Sequence, residues 1–504
     1  MGPRDGILLT GATGLLGRYV LRDLLAAGNR VAVLVRPNRT GSAEERIRDV
    51  LEFARTTAGT HLPQPTVLAG DLRERGLGLS TADREWLARN CGRVLHSAAS
   101  LSFRGTADGE PHATNTFATR ELYEHCATWG IREIHHISTA FVCGDREGPI
   151  PESDAESGRG FHNDYEESKH AAEVALSGMS GVRATVYRPS VIVGDSRTGH
   201  TTSYHGPYRF LELANRLAQP GGEPGQRWLP LRLPFDGGEL RNLVPVDWVS
   251  AAITRIVGRQ ALHGRVYHLT APHPTTVRDI KEVAVEELGL DGVELTGRAP
   301  NPSALERAFL DGLQEYWPYL GSDPAFDCRN TLAAIPDLPA PRVDRELLRR
   351  LVRFAVSDCW GRGRRQVAFK SSLDCGDYIE RYFPEAVARS PLAQLSVEAK
   401  LGFDIRGAGG GRWLCRLGGG RVLQVTRGST EQADVEYRMG VPTFAAVVSG
   451  RESPQAAFFG RRIEIAGSIE KGLKLATLFG QFVRDFPYPA AGAQEERHDT
   501  VCVG

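Results

Sequence analysis

Ile7-Leu8-Leu9-Thr10-Gly11-Ala12-Thr13-Gly14-Leu15-Leu16-Gly17 is the stretch on which the fold turns. An apolar run ends in three glycines spaced three apart. The glycines open directly into an apolar-periodic stretch, Leu15–Ala27. This reads as strand, tight turn and helix start. Gly11 permits the turn, and Gly14 lets a phosphate approach the backbone N–H groups at the helix N-terminus, where the dipole favours anions. Gly17 allows the helix to pack closely on the strand. Gly11, Thr13, Gly14, Leu15, Leu16 and Gly17 therefore form a candidate pyrophosphate cradle.

Outward from this turn, short apolar runs alternate with amphipathic stretches. Candidate strands are Ile7–Thr10, Val31–Val35, Thr66–Leu68, Val94–His96, Glu133–Ile137 and Thr185–Tyr187; candidate helices are Leu15–Ala27, Ala43–Ala54, Ala113–Trp129 and Tyr165–Ser177. The alternation predicts an α/β fold, a doubly wound parallel sheet covered on both faces. From Val191 the rhythm loosens. A loop at 220–225, an apolar, proline-broken run at Trp228–Phe235 and a helix entered through Asn242–Val249 read as insertions that build a substrate pocket. Residues 301–389 read as a helical extension, with helices at Leu305–Tyr316 and Arg345–Val356 and a linker at Pro336–Pro341. After Ser390, Val397, Ala399, Leu401, Phe403 and Ile405 alternate with polar residues, Gly418-Gly419-Gly420 signals a hairpin, and helices follow. The expected boundaries are 1–300, 301–389, a separate α+β domain at 390–488, and a frayed tail at 489–504.

The 61 basic and 61 acidic residues among 504 cancel, so no overall field favours nucleic acid. No apolar run reaches bilayer length, and no signal segment precedes the first strand, so neither stable membrane insertion nor secretion is expected. Eight scattered cysteines without CxxC spacing suit a reduced, cytoplasmic protein. His96, His135, His136, His162 and His170 lack HExxH or comparable spacing, so they read as structural or surface residues and no metal is expected.

The second strand ends in Arg36, where an acidic residue would grip a ribose hydroxyl. A guanidinium there suits a 2′-phosphate, with Arg39 and Arg46 assisting, and points to NADPH. Gly70-Asp71-Leu72 is placed to meet the adenine edge, although Asp71 can equally cap a turn. Tyr165 and Lys169 stand four apart on one helix face, where an ammonium and a nicotinamide ring would lower the phenol pKa. Lys169 can also hold the nicotinamide ribose. Thr139, at the end of the fifth strand, can donate to a substrate carbonyl; Ser138 is its rival. Asn115 can anchor a water or a backbone kink in a proton relay.

These residues resemble the extended short-chain dehydrogenase/reductase superfamily over about residues 5–290. The pattern is most similar to its thioester-reductase and fatty-acyl reductase branch. The resemblance rests on the first glycine turn, Val35-Arg36, Gly70-Asp71-Leu72, His96-Ser97-Ala98-Ala99, Ser138-Thr139-Ala140-Phe141-Val142, Tyr165–Lys169 and the run Arg188-Pro189-Ser190-Val191-Ile192-Val193-Gly194 continuing to Gly199. It implies a Rossmann-like sheet, Ala98 and Ala99 lining the cofactor, and Pro189 and Val191 against the nicotinamide. Trp317-Pro318-Tyr319-Leu320 is similar to the helical extension of bacterial acyl reductases. Residues 390–488 resemble a sterol-carrier-protein-2-like domain, which implies an apolar tunnel.

The expected activity is NADPH-dependent reduction of an acyl thioester to aldehyde, and onward to alcohol if the same site acts twice. Carboxylic acid reductases carry an adenylation and a carrier domain before the reductase. This sequence opens on the first strand, so a ready-made thioester, on coenzyme A or a carrier protein, is the expected partner, and the carboxy-terminal domain is expected to bind the apolar chain. Two alternatives stay open: an NAD(P)-dependent dehydrogenase of a sterol or other hydrophobic alcohol, and a lipid-transfer protein with a nucleotide-sensing domain.

Overall fold

The computed structural model describes residues 4–38, 41–59, 62–153, 160–220, 226–298, 300–361, 374–390, 392 and 398–488. Arg39, the loop at 221–225, Val397 and the tail from 489 lie outside them. The chain divides into two compact units, one of residues 1–212, 233–298 and 315–364, the other of 213–232, 299–314 and 365–504. The insertion 213–232 and the segment 299–314 thus group with the carboxy-terminal residues, whereas the sequence reading places them in the reductase domain and the helical extension.

The first unit is built on strands β1 (Gly6–Thr10), β2 (Val31–Val35), β3 (Thr66–Ala69), β4 (Cys91–His96), β5 (Glu133–Ile137), β6 (Arg183–Pro189) and β7 (Val266–Leu269). They form one sheet in the order β7-β6-β5-β4-β1-β2-β3. Every pairing is parallel. The connecting helices are α1 (Leu15–Ala26), α2 (Ala43–Ala58), α3 (Thr81–Asn90), α4 (Thr119–Thr128) and α5 (Asp164–Ser177). Strand order reverses between β1 and β4, which opens a crevice at their carboxyl ends.

The two faces of the sheet are visible in single strands. Ile7 and Leu9 join a core with Tyr19, Val20 and Leu24 of α1 and with Val249, Ile253 and Ile256 of the helix Val246–Val257. Leu8 points the other way, into a core with Leu87, Leu122, Tyr123 and Leu176. Period-2 side chains with both faces covered explain why these strands read as continuous apolar runs.

The predicted strands and helices of the doubly wound half are present, with differences that have physical causes. The single helix expected over Ala113–Trp129 begins as a π-helical segment, Ala113–Ala118, before α4. The run at Trp228–Phe235 is a strand, Arg227–Leu233. The helix expected at Leu305–Tyr316 is Ala304–Asp311; it stops at Gly312, and Pro318 sits in the 3₁₀ turn Gln314–Tyr319 that follows. β7 went unpredicted because it has only four residues and His268 interrupts its apolar character.

The second unit holds β8 (Ala399–Arg406), β9 (Gly411–Gly418), β10 (Arg421–Arg427), β11 (Val435–Gly440) and β12 (Ile463–Gly467), in the order β10-β9-β8-β11-β12. β8 and β11 pair in parallel and the remaining neighbours antiparallel. Gly419 and Gly420, with φ of 55° and 72°, make the two-residue turn of the β9–β10 hairpin, where both positions need the left-handed region. Arg216 fastens the insertion to this unit: it donates to the Phe458 and Ile463 carbonyls at 2.7 and 2.9 Å, and its guanidinium lies 4.1 Å from the Phe458 ring centroid.

The tightest approach in the first unit is at the glycine turn. A Cβ on Gly17 would sit 2.0 Å from the Gly11 carbonyl oxygen. Gly17→Ala is therefore expected to push α1 off the turn and to cost about 1–3 kcal/mol. Urea unfolding of the variant checks the cost, and a nicotinamide-cofactor titration should show weakened binding in parallel.

Candidate active site

The cofactor cradle follows from backbone geometry. Gly11 takes φ +74°, and a Cβ there would collide with the Ser97–Ala98 backbone at 2.5–2.6 Å. Gly14 is different: a Cβ would meet only the Gly11 carbonyl, at 3.4 Å, so its small size leaves room on the solvent side. Gly14 caps α1, yet no side chain bonds to the first turn and no acidic residue stands in it. Uncapped N–H groups at the positive end of a helix, open above a glycine, are the donor set a pyrophosphate takes. The residues present fit a dinucleotide. Leu16 is buried in the core, Leu15 is half-buried against it, and Leu72 packs into the opposite core, so these three would meet a cofactor chiefly through backbone.

Arg36 and Arg46 are already engaged with protein groups. Arg46 donates to Thr13 Oγ1 at 2.9 Å and to the Arg36 carbonyl. Arg36 Nη1 stands 3.5 Å from Asp71 Oδ2, with 55% of its side chain exposed. Asp71 Oδ1 accepts the Arg73 N–H at 3.0 Å, so the turn-capping alternative describes it as well as an adenine contact does. Burial and the neighbouring Arg36 lower the Arg46 pKa, which is the environment an added anion would relieve.

β4 leads into Ala98, half-buried, and Ala99, exposed. The Ala98 N–H donates to Thr10 Oγ1 at 3.2 Å. Thr10 in turn meets His96 Nδ1 at 2.7 Å, His96 Nε2 meets Thr119 Oγ1 at 2.9 Å, and Thr119 donates to the Thr114 carbonyl at 3.1 Å. One direction satisfies every member: Thr10 donates to Nδ1, and Nε2–H donates to Thr119. Burial holds the His96 pKa down to about 3, so the ring is neutral and the expected structural role is the one it fills.

Thr139 follows β5 and caps the 3₁₀ turn Ala140–Cys143, its Oγ1 accepting the Phe141 N–H at 3.3 Å. That leaves its hydroxyl proton to donate. Ser138 is buried, and its Oγ has no partner, so the rivalry between the two hydroxyls stands. Asn163 caps α5 through the Glu166 N–H. Lys169, 2% exposed, donates from Nζ to the Ile137 carbonyl at 2.6 Å, which ties α5 to the end of β5 beside Ser138 and Thr139. Desolvation lowers its pKa to about 8, against the opposing pull of Glu173. The phenol differs from expectation. Burial first, and the Glu166 carboxylate second, push Tyr165 up to about 12. Lys169 spends its proton on a carbonyl rather than on Tyr165, so the expected lowering is not present in the protein alone.

Asn115 is fully buried and spoken for. Its Oδ1 accepts the Ser100 N–H at 2.8 Å; its Nδ2 donates to the Ser100 carbonyl and to Ser168 Oγ, both at 2.9 Å. It sits in the π-helical segment, and it binds the loop after β4 to α5 next to Lys169. Pro189 is buried at the end of β6, and Val191 begins a two-stranded pairing with Leu243–Pro245.

Several groups at this site went unpredicted. Glu166, fully buried, accepts the His162 N–H and faces His162 Nδ1, both at 3.0 Å, and accepts the Tyr319 hydroxyl. Phe103 packs 6.2 Å from Tyr165, 5.5 Å from Tyr316 and 6.0 Å from Tyr319, and Phe141 packs 5.8 Å from Tyr319. An aromatic wall thus stands beside the phenol. Tyr316 and Tyr319 come from a segment whose periodicity gives no hint of this contact.

In the second unit an apolar cavity opens among Phe383, Leu401, Phe403, Phe444, Leu478 and Phe479. Tyr437 also lines it, but its hydroxyl is taken by the Gly472 carbonyl at 2.7 Å. Among the described lining residues Arg421 alone is charged. Such a lining suits an alkyl or ring system and offers little to a polar ligand.

Comparison with known proteins agrees with both halves. Residues 9–253 match the family described as Male sterility protein, with an NAD-binding fold, and residues 381–480 match the SCP-2 sterol transfer family. The resemblance of the first part to the reductase branch and of the carboxy-terminal part to a sterol-carrier-protein-2-like domain are both borne out. A nonribosomal peptide synthetase, asaC, of Aspergillus flavus is 29% identical over 307 residues, 57% of this chain and 28% of that protein. A carboxylic acid reductase of Segniliparus rugosus is 27% identical over 274 residues, 50% of this chain and 23% of that one. The chain spans about a third or less of the length of the curated relatives it matches. Among solved structures, the terminal R domain of the myxalamid PKS-NRPS pathway is 25% identical with a TM-score of 0.57, covering 71% of this chain and 91% of that domain. Among the described residues no helix is long and apolar enough to cross a membrane.

Narrowing the carboxy-terminal cavity should separate ligand binding from folding. Leu478→Trp is expected to lower the affinity of the full chain for a fluorescent long-chain fatty acid at least tenfold, with the Tm changed by only a few degrees; fluorescence titration and thermal melts check the two.

Proposed function

We propose that this protein reduces an acyl thioester, carried on coenzyme A or a carrier protein, to the aldehyde, with NADPH as reductant. The observation that supports the reading is the Lys169 ammonium donating to the Ile137 carbonyl, which holds the helix that carries Tyr165 against the end of β5. The relatives that match include a nonribosomal peptide synthetase and a carboxylic acid reductase, which supports the substrate class.

When bound, the cofactor supplies hydride to the thioester carbon. The protein's own groups do the rest. Thr139 and Tyr165 donate hydrogen bonds to the carbonyl oxygen as it gains charge, and those bonds strengthen as charge develops. A phenol of high pKa is a donor that keeps its proton until the oxyanion forms, so Tyr165 acts as the acid. Lys169 contributes a fixed positive charge and a donor toward the nicotinamide ribose. Loss of the thiol from the resulting hemithioacetal yields aldehyde. Phe103, Tyr316 and Tyr319 exclude water beside the phenol. The apolar cavity of the second unit binds the greasy chain of substrate or product, which raises its local concentration. Arg36 and Arg46 prefer the 2′-phosphate.

Tyr165→Phe is expected to lower kcat by about 10²–10⁴-fold while cofactor affinity holds. Stopped-flow oxidation of NADPH with acyl-CoA and acyl-carrier substrates checks it, and unchanged turnover would remove Tyr165 as the acid. Arg36→Glu should shift preference toward NADH, read as the ratio of kcat/KM for the two cofactors. Lys169 must be protonated to act, so kcat/KM should fall as pH rises through about 8. Lys169→Arg should move that fall to higher pH.

A further inference from the structure

The amino-terminal edge of the seven-stranded sheet lies opposite the end where Thr139 and Lys169 stand, and it gathers a second set of polar groups. Glu133 opens β5, His135 lies two residues on, and His263 precedes β7. One ligand atom from each of Glu133, His135 and His263 lies within 4.8 Å of the other two; the ring nitrogens available are His135 Nε2 and His263 Nδ1. His135 and His263 are 1% and 4% exposed, and neither of those two nitrogens has a hydrogen-bond partner. The two rings meet edge to face at 4.5 Å.

The tautomer is fixed by the far side of the ring. His263 Nε2 faces the Ile256 and Val257 carbonyls, each at 3.1 Å. Carbonyls only accept, so the neutral ring carries its proton on Nε2 and turns a lone pair at Nδ1 toward Glu133. Glu133 Oε2 stands 3.4 Å from that lone pair. Two acceptors facing each other repel unless a cation lies between them. A charge-assisted N–H···O bond would close to about 2.7–2.9 Å. Two ligands on a tetrahedral ion with bonds of about 2.0–2.1 Å stand about 3.3–3.4 Å apart. The observed gap fits the second geometry. His135 is oriented as metal-bound histidines are, its Nδ1 held by the Tyr187 hydroxyl at 2.9 Å.

We propose that Glu133, His135 and His263 bind one divalent cation of the zinc class, with water as the fourth ligand. Two imidazoles and one carboxylate select against magnesium and calcium, which prefer all-oxygen sets. Glu133, with 20% of its side chain exposed, gives the ion its way in. The nearby guanidiniums of Arg93 and Arg183 are turned to backbone: Arg93 donates to the Val257 and Asp5 carbonyls and Arg183 to that of His263. The ion would clamp the start of β5 to the loop before β7 and the end of the helix Val246–Val257. Its position assigns it to stability rather than to hydride transfer.

The test uses the full chain, stripped with a chelator and titrated with Zn²⁺ and Co²⁺. The expected result is one ion per chain, visible cobalt bands of a four-coordinate nitrogen and oxygen set without thiolate charge transfer, a raised Tm with zinc, and unchanged NADPH affinity. His263→Gln, and independently the partly exposed Glu133→Gln, should each weaken binding at least about tenfold. Circular dichroism shows whether each variant is folded. No stoichiometric binding, equal affinity in both folded variants, or a thiolate band placing the ion on cysteine would each overturn the site; the first would leave a proton shared between His263 and Glu133 in its place.

Discussion

Everything at the reacting end of the first unit is referenced to one close approach, the packing of Gly17 on the carbonyl of Gly11. With no Cβ in the way, α1 starts directly after the turn that follows β1, and no side chain caps its first turn. The same turn presses the backbone of Ser97 and Ala98 against Gly11, which fixes where β4 ends. Thr10 then locks that contact through the Ala98 N–H and the His96 ring. The start of α1 and the end of the adjacent strand are therefore set by steric exclusion at Gly11 and Gly17.

Legibility in the sequence followed the range of the interaction. The doubly wound half was readable because its signals are local: period-2 apolar runs, three glycines at fixed spacing, and a tyrosine and lysine one helical turn apart. The hairpin at Gly418–Gly420 was readable for the same reason. What the sequence concealed depends on distant partners. Nothing near Tyr165 announces that Tyr319 will donate to the neighbouring Glu166, or that Phe103 will stack beside it. The charge relation between Lys169 and Tyr165 was legible as spacing but not as energy. Burial raises the phenol pKa and lowers that of the ammonium, and spacing alone carries no information about burial.

Arg36 and Asp71 show a related limit. Each was assigned a cofactor contact by its place after a strand, and each is at that place. Yet they stand 3.5 Å apart and partly neutralise each other. Any anion placed at Arg36 would compete with Asp71 for it, so its affinity there would be a difference between two ion pairs rather than the strength of one. Arg46, held by Thr13 and by the Arg36 carbonyl, is the better fixed of the two cations.

The π-helical segment Ala113–Ala118 has a consequence for how this chain tolerates length changes. It accommodates one residue beyond what a regular helix of that span would hold. Removing a single residue there would not break the rod; it would regularise the segment, so that residues within it face new directions while the flanking turns keep theirs. The apolar stripe of Leu122, Tyr123 and Cys126 would keep its seat in the core, and Asn115 would swing away from Ser100 and Ser168. The surplus residue works as an angular offset, letting one continuous helix serve a greasy interior at one end and a polar clasp at the other.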